Sequence, residues 1–130
     1  MSAKQVIHTD AAPGPFQGAP YSQAVSAGGF VFVAGQLGLR PGAGSPVEGG
    51  IGPQTEQALA NLAAILDAAG SSLGGVVKTS VFLVDLADFP AMNEVYARHF
   101  TDSPPARSTF QVAALPSGAL VEIEAIAAIA

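Results

Sequence analysis

The stretch Leu120-Val121-Glu122-Ile123-Glu124-Ala125-Ile126-Ala127 decides the fold. Successive side chains of a strand point to opposite faces. Leu120, Glu122, Glu124 and Ile126 therefore share one face, and Val121, Ile123, Ala125 and Ala127 share the other. The second face is wholly apolar and demands a core. The first sets two carboxylates between aliphatic neighbours. A strand over Leu120–Ile129 thus ends the chain. Before it, Pro116-Ser117-Gly118 is a turn and Ala106–Ala113 reads as a strand, which together predict a C-terminal hairpin.

Upstream the period changes from two to 3.6. In Gly52–Ala69 the residues Ala58, Leu59, Leu62, Ile65, Leu66 and Ala69 form one apolar stripe, with Gln57, Asn61 and Ala64 off it. Pro53 suits the first turn, Glu56 the positive dipole end and Gly70 the stop. Val76–Val84 is a β-branched strand. A second helix follows, capped by Asp85 or Asp88 with Pro90 in its first turn and Phe89, Met92, Val95, Tyr96 and Phe100 inward. Glu94 and Arg98 form an outward pair.

The N-terminal part reads as strands over Lys4–Thr9, Tyr21–Ala27 and Phe30–Ala34, with Gly28-Gly29 as a two-residue hairpin turn. Asp10–Pro20 and Arg40–Gly50 are loops. The order β-β-β-α-β-α-β-β, in 130 residues, predicts a single α+β domain over 1–130: a mixed sheet with two helices packed on one face.

The other sheet face then lacks a cover. Charged residues make up only 12% of the chain, against about 25% in an average domain. Mean hydropathy is +0.41. No apolar run approaches the ~20 residues of a membrane span, so no membrane partner is expected. Surface this poor in charge predicts burial against further copies of the chain. The net charge of −5 argues against a nucleic-acid partner. With no cysteine, a disulfide, a Cys-ligated zinc and a thiol nucleophile are excluded. The opening Met1–Gln5 is too polar for a signal peptide, which predicts a cytoplasmic protein.

Few catalytic patterns are present. No glycine-rich phosphate loop and no Gly-x-Ser-x-Gly elbow occurs. His8 and His99 lack metal-ligand spacing, so no metal is expected; His99 reads as a helix-end residue beside its own C-terminal dipole. Two features stand out. The carboxylates Glu122 and Glu124 lie either on a solvated strand face or in an interface or pocket. Arg107 opens a strand and shares a face with Thr109 and Gln111. It is either the partner of Glu122 or Glu124 in a structural ion pair, or a fork for a substrate carboxylate.

Several segments resemble one known family. Pro105-Ala106-Arg107-Ser108, Val112-Ala113-x-Leu115-Pro116-x-Gly118 and Val121–Ala127 resemble the signature of the Rid family of reactive intermediate deaminases, also called the YjgF or L-PSP endoribonuclease family. Pro20–Val25, Gly35-Gln36, Gln54–Leu62, Val77-Lys78-Thr79 and Asp88–Phe100 resemble its other segments in the right order. The resemblance implies a chorismate-mutase-like fold in a homotrimer with sites in the clefts between subunits. It implies hydrolysis of 2-imino acids, tautomers of enamines such as 2-aminoacrylate, to 2-keto acids and ammonia, with no cofactor. By the same resemblance Arg107 grips the substrate carboxylate and Glu122 positions a water. Tyr21 and the backbone at Gly35 line the pocket, and Asn93 lies near the cleft from a neighbouring chain.

Phe110 is expected to help close the pocket. Thr109 stands where many members have Cys, keeping a small side chain beside Arg107. Ala34 replaces a common Ser, and the Ala12–Pro20 loop looks slightly long for the family. Two other readings compete: a trimer that binds small molecules or acts as a holdase without turnover, and an endoribonuclease, which the acidity disfavours.

Overall fold

The structure, a computed structural model, describes residues 3–130. Met1 and Ser2, the start of the polar N-terminal run, lie outside it. The elements are β1 (Gln5–Ile7), β2 (Ala24–Ala27), β3 (Phe30–Leu37), α1 (Ile51–Ala68), β4 (Val76–Leu83), α2 (Phe89–His99), β5 (Ala106–Gln111) and β6 (Val121–Ala128), with short 3-10 turns between some of them. All six strands form one sheet in the order β1-β2-β3-β6-β4-β5.

The predicted C-terminal hairpin does not form. β5 pairs in parallel with β4, and β6 inserts antiparallel between β3 and β4. Burial explains the choice. Val121, Ile123, Ala125 and Ala127 are all buried, so β6 gains most from a central place. The sequence Arg-Ser-Thr-Phe-Gln of β5 suits an edge. Helix α2 supplies the crossover that two parallel neighbours require.

The helices pack on one face. Leu59, Leu62, Ile65 and Leu66 of α1 and Met92 and Tyr96 of α2 join Val31, Val81, Leu83 and Ile123 of the sheet in one core. The β2–β3 turn uses Gly28 and Gly29 at φ +60 and +84, as the hairpin reading requires. The opposite face has no cover in a single chain. Val25, Phe32 and Ile126 stand in one cross-strand row there, with Phe30 and Phe32 about two-fifths exposed.

Several local expectations change. β2 begins at Ala24 rather than Tyr21, because Gln23 turns inward. Its buried amide donates to the carbonyls of Thr9, Ala12 and Pro13 and accepts from the Thr9 N–H. β5 ends at Gln111, before Val112. Helix α1 has no acid in its first turn. Glu56 instead hydrogen-bonds His99, which sits in the last turn of α2 as expected, and the pair clips α1 to α2. Asn61, expected off the core, is buried and donates to the carbonyls of Leu37 and Leu39. Asp85 caps the turn before α2, accepting from the Ala87 N–H.

Candidate active site

Strand β3 carries a bulge between Val33 and Gln36 where it faces β6. An extra residue in one strand breaks the alternation and re-aims the backbone. Here it brings Gly35 against the Glu122 side chain. A Cβ on Gly35 would stand 2.5 Å from Glu122 Oε2. Only a residue without a side chain leaves the carboxylate that position. After the bulge Leu37 pairs with Glu122. Tyr21 and Gly35 line one small chamber with Leu37 and Phe16. The Tyr21 hydroxyl accepts from the Phe16 N–H at 2.6 Å.

Glu122 sits half-buried on the face away from the helices. Burial pushes its carboxyl above the ordinary glutamate range, and the nearby Glu124 charge adds to the rise. Among the described residues no cation lies within ion-pair distance of it. A carboxylate raised in this way is a better proton acceptor near neutral pH than an ordinary one.

Arg107 lies on the other face. Its register partner is Thr79, which is buried under the helices, whereas Glu122 pairs with Phe82. An ion pair of Arg107 with Glu122 or Glu124 within one chain is therefore excluded, and one chain does not bring Arg107 and Glu122 into one cleft. The guanidinium instead rests on α2. Its carbon lies 4.7 Å from the Tyr96 ring centroid and 5.4 Å from that of Phe89. Both distances are within cation–π range. Tyr96 is fixed by a 2.7 Å hydrogen bond between its hydroxyl and that of Thr79. Burial raises the Tyr96 hydroxyl pKa, opposed by the Thr79 bond and the Arg107 charge.

Phe89, Asn93 and Tyr96 are spaced i, i+4 and i+7, on one side of α2. Asn93 Oδ1 and Thr109 Oγ1 are buried without a hydrogen-bond partner among the described residues. Arg107 and Thr109 of β5 and Asn93 of α2 thus all lie on the helix side of the sheet. Tyr21, Gly35 and Glu122 form a separate group. Phe110 is 55% exposed on the open face, in one cross-strand row with Phe82 and Glu122, and stacks on Phe82 at 6.5 Å. It stands two strands from Glu122, about 10 Å across the sheet.

A family model described as endoribonuclease L-PSP matches residues 10–129. The chain belongs to this family, the YjgF or Rid family. Its Rid relatives include a RutC family protein from Pyrococcus horikoshii, 52% identical over 95% of this chain and 97% of the relative. The 2-iminobutanoate/2-iminopropanoate deaminase of Mus musculus is 49% identical over 95% of this chain and 90% of its own length. Among solved structures, RidA from a Psychrobacter species is 47% identical, with a TM-score of 0.90 over 96% of this chain and 99% of that one.

Within this Rid chain, Phe89 and Tyr96 as the seat of the Arg107 guanidinium went unrecognised in the sequence, where both read as core. Their i, i+7 spacing around Asn93 was the available signal. Gln23, the clamp behind the chamber loop, had no periodic signal because it acts on backbone carbonyls ten or more residues away.

Proposed function

We propose that the protein hydrolyses 2-imino acids and their enamine tautomers, such as 2-aminoacrylate, to 2-keto acids and ammonia. It does so in the cytoplasm, in clefts between the subunits of a homotrimer. The carrying observation is the placement of Arg107 and Glu122 on opposite faces of one sheet, each without an opposite charge within ion-pair distance among the described residues of its own chain. A substrate that needs both must lie between Arg107 of one subunit and Glu122 of the next. The apolar open face, with Phe30 and Phe32, favours such an assembly.

The chemistry asks little of the protein. The carbon of a protonated imine is already electrophilic. Arg107, held over the Phe89 and Tyr96 rings, offers its N–H donors to the substrate carboxylate. Glu122 accepts a proton from a water as the water oxygen bonds to C2 and the C=N electron pair moves onto nitrogen. The resulting carbinolamine carries a hydroxyl and an amine on one carbon. Glu122 returns that proton to the amine, the C–N bond breaks with its electron pair leaving on ammonia, and Glu122 takes the hydroxyl proton as the ketone forms. Fixing the acid beside an aimed water supplies the rate gain by proximity.

The test is an imino-acid panel made in situ by an amino-acid oxidase, with ammonia and keto-acid release followed for wild type and Arg107→Ala. Wild type accelerates release and Arg107→Ala abolishes the acceleration while eluting as a trimer. Unchanged turnover in a folded Arg107→Ala trimer overturns the mechanism. Absence of acceleration by wild type across the panel favours a binding protein without turnover.

A further inference from the structure

We propose that Phe16 sets the upper size limit of the substrate side chain, by walling off the chamber beside Gly35 from a larger surface groove. The inference rests on the imino-acid reading above and adds the residue that decides which members of that class are accepted. The inner chamber, bordered by Tyr21, Gly35 and Leu37, has a free volume of about 40 Å³. That is room for roughly three waters, the scale of a methyl or ethyl side chain. Beside it lies an open surface groove of about 410 Å³ bordered by the exposed Gly42, Ala43 and Gly44 and by Ser117. Pro13, Gly14, Phe16 and Leu39 border both. Phe16 is the largest side chain of that shared wall and is half-buried between the two spaces.

The wall is a built one. The Phe16 N–H donates to the Tyr21 hydroxyl, and the Ala19 N–H closes back on the Phe16 carbonyl at 3.0 Å. From behind, Gln23 holds the Ala12 and Pro13 carbonyls. The next residue, Gln17, takes a left-handed backbone at φ +53, uncommon outside glycine. The backbone bonds survive removal of the ring, so a truncation at Phe16 opens the wall without releasing the loop. The chamber adjoins Glu122 through Gly35 and through the Leu37 pairing. A side chain entering it leaves the imine carbon beside that carboxylate.

The experiment compares wild type, Phe16→Leu and Phe16→Ala on imino acids made in situ from alanine, 2-aminobutyrate, leucine and methionine. Phe16→Ala is expected to raise the kcat/KM ratio of the methionine-derived to the alanine-derived imine at least about tenfold, mainly through KM. Phe16→Leu falls between. An unchanged ratio in Phe16→Ala that still turns over the small imine overturns the inference. Binding of straight-chain 2-oxo acids, followed by calorimetry, gives a readout independent of turnover. A selective gain in affinity for the longer oxo acids in Phe16→Ala supports the wall even if wild type turns over no imine, which would sink the deaminase reading alone. Equal affinities across chain lengths, or no binding by either form, overturn the wall.

Discussion

Gly35→Ala separates the position of Glu122 from the stability of the fold. The added Cβ would stand 2.5 Å from Glu122 Oε2 and 2.7 Å from Cδ, where ordinary contact begins at 3.4 Å. The carboxylate must therefore retreat by about 1 Å. The collision is with a flexible side chain from Cγ, at 2.9 Å, outward, so Glu122 must turn about χ1, and Gly35 is not among the glycines with positive φ. Rotating Glu122 off its rotamer costs about 0.5–1.5 kcal/mol. Loss of glycine's freedom in the unfolded chain returns about 0.4–1 kcal/mol. The two nearly cancel, so the melting temperature should move by no more than about 4 °C. Activity should not be spared: a misplacement of about 1 Å costs on the order of 100-fold, or about 2.7 kcal/mol of barrier.

Gly38→Ala is the control. There a Cβ would meet the main chain of α1, 2.6 Å from the Gln54 carbonyl oxygen, which cannot swing aside. That variant should lose about 1–3 kcal/mol of stability by overpacking. The assays are thermal melting and kcat/KM for ammonia release from 2-aminoacrylate. A Gly35→Ala protein that melts as wild type and keeps kcat/KM within about threefold would refute the placement of Glu122 as the water-directing group, since the penalty for misplacing that group is far larger. A melting point as low as that of Gly38→Ala would refute the claim that the clash is relieved by the side chain alone.

Three further outcomes follow from single contacts. Glu122 must be ionised to accept a proton, so activity falls as pH drops through its raised pKa; Glu124→Gln removes a like charge that raises it, and the acid limb of the kcat/KM–pH profile should move to lower pH. Tyr96→Phe strands the buried Thr79 hydroxyl and should cost about 1–3 kcal/mol in chemical denaturation. It also loosens the seat of Arg107, so KM for the imino acid should rise. Asn61→Ala leaves the Leu37 and Leu39 carbonyls without their side-chain donor and should lower the unfolding free energy by a similar amount, checked against Gln57→Ala, whose amide reaches only Asn61 among the described residues.

The sequence by itself determined the elements and their buried faces. The alternation in Val121–Ala127, the 3.6-residue stripe of α1 and the glycines at 28, 29 and 70 are local signals, because side-chain direction and turn backbone are set within a few residues. Arg107 and Glu122 were legible as outliers for the same reason: a charge on a strand with apolar neighbours needs an explanation. Strand neighbours were not legible. Whether β6 pairs with β5 or parts β3 from β4 depends on competition among all six strands for central places. The apolar face of β6 wins that competition only in the presence of the other strands and both helices. The site shared this dependence. The bulge at Gly35, the Gln23 clamp and the rings beneath Arg107 arise from contacts ten or more residues apart, so only the tertiary structure could put Arg107 and Glu122 on opposite faces of one sheet.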